Sequence, residues 1–481
     1  MLFNSIQYAL FLPVVFALYW LLARVGRRWQ NVMLLGASYY FYGSWDIRFL
    51  GLLAFSTLLD YYCGIRIGTQ VHQQKRRIWL WVSLAVNLGF LAVFKYYDFF
   101  ASSMQALLAD LGCEVSLRTL GIILPVGISF YTFHGISYII DIYNRRIPIE
   151  KSWVDYALFV SFFPLLVAGP IERATHLLPQ LKRERTFNPT NAAEGLRQIL
   201  WGLFKKMVIA DNCGRYVNFA FDGTDTYATG NYWLAAVFFT IQIYCDFSGY
   251  TDIALGSARL LGIELLQNFS YPLFARSITE FWKRWHMSLT SWFRDYLYIP
   301  LGGNRKGNSR TIKYILLVFL VSGLWHGANW TFLAWGLIHG LLFASERFIF
   351  IGSDQSDTAN SVRMGKWKML AKSLLTFFWV TCAFIFFRSN TVQAAFQYFE
   401  KMITFGDSVT QRFPESENLW KIIPLTLMMF SVEWWGRNYS FALEKLDQRI
   451  PAYLRYCIYY LLIFLILDFS SKPLKFIYFQ F

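Results

Sequence analysis

Long apolar runs recur from one end of this chain to the other, and that pattern leaves a lipid bilayer as its natural solvent. Hydrophobic residues make up 56% of the 481 positions, aromatic residues 20%, and charged residues only 16%. A soluble domain carries about 25% charged residues to cover its surface. A chain of this length with so few charges cannot cover a water-facing surface. A membrane-spanning helix needs roughly 20 mostly apolar residues. Candidate stretches are Ser5 to Ala23, Ile78 to Phe94, Val154 to Ala168, Tyr232 to Tyr244, Tyr314 to Leu342, Leu374 to Phe387, Ile422 to Trp435 and Ala452 to Leu467. Some are short and others hold two elements. The expectation is an all-α polytopic membrane protein of about 10–12 spans plus re-entrant or interfacial helices. A β-barrel would alternate apolar and polar residues in segments of about 10; these runs are apolar all round.

The amino end lacks the basic start of a secretory signal, and Arg24, Arg27 and Arg28 follow its first apolar run. This predicts a retained first span with its basic end inside and the N-terminus outside. The net charge is +15, from 45 Lys and Arg against 30 Asp and Glu. Its clusters (Lys75-Arg76-Arg77, Lys182-Arg183 with Arg185, Arg305-Lys306 with Arg310) sit between apolar runs. Cytoplasmic loops and anionic lipid account for them without nucleic acid. The six cysteines are scattered with no C-x-x-C pair, so neither a zinc site nor a redox motif is indicated.

No linker, low-complexity tract or repeat divides the chain, so a single integral domain over residues 1–481 is the simplest reading. Polar connections fall at Gln70 to Arg77, Lys182 to Asn191, Gly302 to Arg310, Gly352 to Lys368 and Phe405 to Glu417, and Asn188-Pro189-Thr190 resembles a helix start. From about Tyr244 to Trp335 the sequence mixes aromatics with Asp, Arg, His, Gly and Pro. Irregular backbone is tolerated at membrane depth only where protein or a water-filled cavity surrounds it. Function is therefore sought there.

Of six histidines, His72 lies in a charged loop, His134 reads as a hydrogen-bonded packing residue, His176 as interfacial, and His339 as the close of an apolar run. His326 lies between two apolar stretches, in Ser322-Gly323-Leu324-Trp325-His326-Gly327-Ala328-Asn329-Trp330. An ionisable group at membrane depth is costly and by default marks function. Gly323 and Gly327 would clear space for a backbone or substrate beside the ring. A histidine bonding to a neighbouring helix is the structural alternative. His286 follows Phe281-Trp282-Lys283-Arg284-Trp285. It reads either as part of an amphipathic interfacial helix or as one wall of a reaction tunnel. The chain shows no Walker loop, no G-x-G-x-x-G, no G-x-S-x-G and no metal-spaced cluster. Imidazoles in a membrane tunnel suit removal of a proton from a hydroxyl. The alcohol then attacks an activated acyl carbonyl, and a thioester supplies the leaving group.

Several segments, in order, resemble the membrane-bound O-acyltransferase superfamily, and most closely its bacterial alginate O-acetyltransferase branch. They are Phe162-Phe163-Pro164, Ala168-Gly169-Pro170-Ile171-Glu172, Tyr244-Cys245-Asp246-Phe247-Ser248-Gly249-Tyr250, Phe281 to Leu289, Trp292 to Arg305, and Gly323 to Trp330. The similarity runs through most of the chain and is densest from about residue 120 to 345. The resemblance implies a helical ring around a central tunnel joining a cytoplasmic donor site to an outward acceptor site. By resemblance His326 takes the catalytic position, as general base, and His286 a second functional position that binds or polarises the donor. The resemblance implies that Trp325, Asn329, Arg294 and Asp295 are tunnel or packing residues placed to bind substrate.

The resemblance further implies acetyl-CoA as donor, no metal and no permanently bound cofactor. It also implies a periplasmic SGNH-hydrolase-like partner and a polysaccharide acceptor such as alginate, at a bacterial inner membrane. One rival is D-alanyl transfer to teichoic acid from a carrier-protein thioester. That branch shares Trp285-His286-Met287-Ser288-Leu289 and Arg294-Asp295-Tyr296 but not Ile299 to Arg305. A second rival is a polysaccharide or lipid transporter, which would show two pseudo-symmetric halves.

Overall fold

The structure, a computed structural model, describes residues 1–167, 169–223, 227–350, 365–404, 413–469, 474, 476 and 477. Most of the expected connections at 352–368 and 405–417 lie outside the described residues, as does Ala168. The described residues form helices and no strands. Residue contacts define two compact units, Met1–Ile199 with Ala254–Leu266, and Leu200–Ile253 with Gln267–Phe481.

Among the described residues, four helices are long and apolar enough to cross a bilayer: Ile47–Thr69, Gln73–Asp110, Lys366–Arg388 and Ala452–Phe469. The shorter apolar helix Ile6–Leu22 opens the chain, with the Ser5 hydroxyl accepting from the Tyr8 N–H at 3.2 Å. Large apolar side chains stay exposed along these helices (Ile6, Phe464 and Leu467 among them), as a lipid-facing surface requires. Other expected spans differ in extent from the helices observed. Tyr314 to Leu342 breaks at Gly327 into Asn308–His326 and Trp330–Phe350. Val154 to Ala168 contains only the nine-residue helix Trp153–Ser161. Tyr232 to Tyr244 is part of the 32-residue helix Thr229–Leu260.

The first unit is held by polar groups that satisfy one another. Asp60, on Ile47–Thr69, is buried; its Oδ1 accepts from Ser83 Oγ at 2.6 Å and from Asn87 Nδ2 at 2.9 Å, both on the next helix. Gly135, on Ile128–Tyr143, is open to the other carboxylate oxygen, which a Cβ would strike. In lipid such bonds join helices because no water competes for them. Arg76 departs from its expected role as a loop charge. It is 4% exposed and donates to the carbonyls of Ile67, Ile142 and Tyr143. It thereby fills the unpaired carbonyl ends of two helices, where a cation also suits the helix dipole. The Asn188 carboxamide accepts from the N–H groups of Thr190 and Asn191, so the predicted helix start is present. His134 takes the Glu172 N–H at 3.0 Å and Glu172 holds His176 at 2.8 Å, matching the packing role read for His134.

Glycines seven residues apart let backbones touch in both units. In the first, a Cβ on Gly195 would lie 2.7 Å from the Gly256 carbonyl oxygen; in the second, one on Gly202 would lie 2.5 Å from that of Gly249. Small residues at helix contacts are the membrane substitute for a hydrophobic driving force. Gly202→Val should therefore lower stability by about 1–3 kcal/mol or more through overpacking against backbone. Gly230, with nothing within 4 Å of a built Cβ, should tolerate Ala without loss. Thermal unfolding of the two variants in one detergent checks the contrast.

Candidate active site

The second unit carries both histidines singled out by sequence, on different elements. His326 is the last residue of Asn308–His326 and is 3% exposed. The next residue, Gly327, leaves the helix in extended conformation. The Asn329 side chain then accepts from the Thr331 N–H at 3.1 Å to start Trp330–Phe350, and its amide donates to the Asn390 carbonyl at 2.9 Å. Asn329 is thus a helix cap. The glycines beside His326 serve this hairpin: Cβ atoms on Gly323 and Gly327 would strike the Phe332 carbonyl and ring. Of the two occupants expected there, a backbone or a substrate, it is the neighbouring helix that takes the space.

His286 sits between the short helices Ile278–Arg284 and Met287–Phe293, at φ +42° and fully buried. This replaces the interfacial-helix reading. A non-glycine residue in the left-handed region costs about 1–3 kcal/mol and persists only where its surroundings over-determine it. Here Asn268 does so. Its carbonyl accepts from the Met287 N–H at 2.9 Å, and its side chain accepts from Ser288 Oγ at 2.6 Å. The preceding helix is fixed at its start by Glu346, which accepts from the N–H groups of Ile278 and Thr279 at 2.6 and 2.9 Å. An acceptor at a helix start satisfies orphan donors and opposes the positive dipole end.

A continuous run of rings connects the imidazoles. Centroids lie 4.7 Å apart for Phe247 and His286, 5.9 Å for His286 and Trp325, and 4.9 Å for Trp325 and His326. The run continues from His326 to Trp335 at 5.1 Å, Trp335 to His339 at 5.0 Å, and His339 to Trp282 at 5.1 Å. His286 and His326 themselves are 6.3 Å apart, too far for a direct ring-to-ring stack and close enough to flank one small group. Both ring nitrogens of His286 are buried with no hydrogen-bond partner among the described residues. A buried polar group left so requires an explanation, and a bound reactant is one.

Of the four accessory residues read from sequence, only Trp325 is brought against both imidazoles. Arg294 and Asp295 pair with each other at 2.8 Å, with the Arg294 side chain 62% exposed. His339, read as the close of an apolar run, joins the cluster: fully buried, its Nδ1 accepts from Trp282 Nε1 at 3.3 Å. Its spacing from Trp335, four residues on one helix, places both on one face and was the available signal.

Two further groups escaped the sequence reading. Lys205 Nζ lies 2.7 Å from Asp252, 2.9 Å from Ser248 Oγ and 3.7 Å from Glu433, whose carboxylate also accepts from Tyr244 OH. Lys206 Nζ lies 2.7 Å from both Asp211 and Asp246. Both lysines are buried. The segment Tyr244 to Ser248 thus anchors the charges and also supplies Phe247, which packs on His286.

The comparisons with known proteins agree with a helical membrane protein. Residues 145–387 match the model of the family described as MBOAT, membrane-bound O-acyltransferase. The chain is 41% identical to the "Probable alginate O-acetylase AlgI" of Azotobacter vinelandii, over 83% of this chain and 77% of that protein. It is 34% identical to the "Peptidoglycan O-acetyltransferase" of Helicobacter pylori, over 84% and 80%. It is 28% identical to the "Teichoic acid D-alanyltransferase" of Bacillus subtilis, over 54% and 68%. The chain belongs to the membrane-bound O-acyltransferase family, and it is an acyltransferase of the membrane. That displaces the transporter reading.

Removing Lys205 would leave Asp252 and Glu433 buried without their shared cation. Breaking a buried ion pair on one side costs about 3–5 kcal/mol. Lys205→Ala should therefore unfold at markedly lower temperature or fail to accumulate in the membrane. Lys205→Arg should retain much of the stability, as read by thermal unfolding of detergent-purified protein.

Proposed function

We propose that this chain moves an acetyl group from a cytoplasmic thioester, acetyl-CoA, to a hydroxyl on the far side of a bacterial inner membrane, for O-acetylation of an envelope polysaccharide such as alginate. The observation that carries this reading is the pair of buried imidazoles 6.3 Å apart, one with both nitrogens unpartnered among the described residues. In support, the two O-acetyl relatives compared here are 41% and 34% identical, whereas the D-alanyl relative is 28% identical over a shorter stretch.

His326 acts as general base. It takes the proton of the acceptor hydroxyl as the oxygen attacks the thioester carbonyl. The C–S bond breaks, and the proton passes to the departing thiolate. The reaction balances with no covalent enzyme intermediate, no metal and no resident cofactor. His286 donates a hydrogen bond to the thioester carbonyl and so stabilises the charge that develops there. Trp325, in contact with both rings, holds their spacing. The rings packed around His326 must part to admit both reactants. On this reading the N-terminus lies outside, the basic connections lie in the cytoplasm, and an SGNH-hydrolase-like periplasmic partner receives the acetyl group and chooses the final acceptor.

A positioned general base contributes about 10²–10⁴-fold to rate. His326→Ala should therefore insert normally and lose acetyl transfer by about that factor; full activity would eliminate the role. His286→Ala should reduce transfer strongly and raise the KM for acetyl-CoA; an unchanged rate and KM would remove it from the site. Transfer from acetyl-CoA without any carrier protein separates acetyl from D-alanyl chemistry. Mass spectrometry of envelope glycans, with and without the chain, should show acetyl groups lost in its absence.

A further inference from the structure

Away from the ring cluster, the first unit gathers arginines around open space. Two cavities, of about 280 and 710 Å³, share a wall made by Trp20, Arg185 and Phe187. Arg183 and Arg259 line the smaller cavity, and Arg24 and Arg27 the larger. Glu184 is the acidic residue in either lining; nearby, Asp155 lies 3.8 Å from Arg27 and accepts from Asn31 at 2.7 Å. The balance is strongly cationic.

Arg185 is the centre of this arrangement and is only 6% exposed. Its Nη2 donates to Asn31 Oδ1 at 2.5 Å, and Asn31 is itself fixed by bonds to Asp155 and to the Leu181 carbonyl. The guanidinium is therefore held in place. Its Nε and Nη1 are nevertheless buried with no acceptor among the described residues. A buried cation with unused donors is costly unless a group with several acceptor oxygens completes it. Phosphate suits the planar fork of arginine, and its charge suits the surrounding cations. The lining is also aromatic: Phe187 packs on Trp20 at 5.3 Å and on Phe16 at 5.9 Å. Tryptophan beside arginine is the composition of the headgroup level of a membrane.

We propose that this double cavity binds a phosphate group, carried either by the headgroup of an anionic phospholipid or by a soluble phosphate compound. Its lining shares no residue with the imidazole cluster, and the site is independent of the acetyl-transfer reading.

The test uses the full chain in nanodiscs of phosphatidylcholine. One arm adds phosphatidylglycerol and reads retained lipid by native mass spectrometry. The other titrates pyrophosphate by calorimetry. Wild type should bind at least one probe selectively, and Arg185→Gln should weaken that binding by about tenfold or more. Arg183→Gln, an exposed change with an unaltered melting temperature, should weaken it several-fold and decides the matter if Arg185→Gln does not fold. Selective phosphatidylglycerol retention identifies the lipid source, and pyrophosphate binding the soluble one. If neither probe binds, or if both substitutions leave binding unchanged, the proposal is overturned.

Discussion

A polar group withdrawn from water must find its partner inside the protein, and that constraint organises this structure. In the hydrocarbon region each unsatisfied donor or acceptor costs several kcal/mol. Asp60 is met by Ser83 and Asn87, Arg76 by three helix-end carbonyls, Lys205 by Asp252 and Ser248, and Lys206 by Asp211 and Asp246. These bonds connect segments that apolar packing alone would leave free to slide, because lipid tails are as apolar as leucine. The nitrogens of His286 and two donors of Arg185 are among the buried polar atoms with no such partner among the described residues. What distinguishes them is their surroundings, a cluster of rings for His286 and a cationic cavity for Arg185.

Aromatic surfaces pack around the imidazoles of the second unit. Phe247, Trp325, Trp335 and Trp282 meet His286, His326 and His339 at 4.7 to 5.9 Å between centroids. Rings fix position through shape and edge-to-face contact, and among the described residues neither nitrogen of His286 has a hydrogen-bond partner. The strained backbone at His286 is maintained by Asn268, and the short helix before it by Glu346. Residues remote from the chemistry thus set the geometry of the site. The charged anchors share the segment Tyr244 to Ser248 with Phe247, so the stability of the second unit and the placement of His286 depend on one stretch of chain.

Much of the candidate site was legible because it violates a local rule. A histidine inside an apolar run, as at His326, is expensive and so conspicuous. The charged residues gave weaker signals. Arg294 and Asp295 fall inside a family motif, yet they bond to each other at the surface. Arg76 looks like any loop cation, yet it closes two helices. His339 looked like the close of an apolar run and stands in the ring cluster. Sequence spacing cannot separate these outcomes, since each depends on what another helix brings alongside.

The sequence by itself determined the solvent, the helical class and the family, and it singled out two histidines as candidates. Those follow from composition, from the lengths of apolar runs, and from motifs read along one dimension. Only the tertiary structure decided that Gly323 and Gly327 admit a neighbouring helix, that His286 is buried in a break between helices, and that Lys205 and Lys206 are partnered. The reason is that burial and pairing belong to contacts between segments far apart in the chain. The free energy of a polar side chain in a membrane is set by those contacts more than by its own identity.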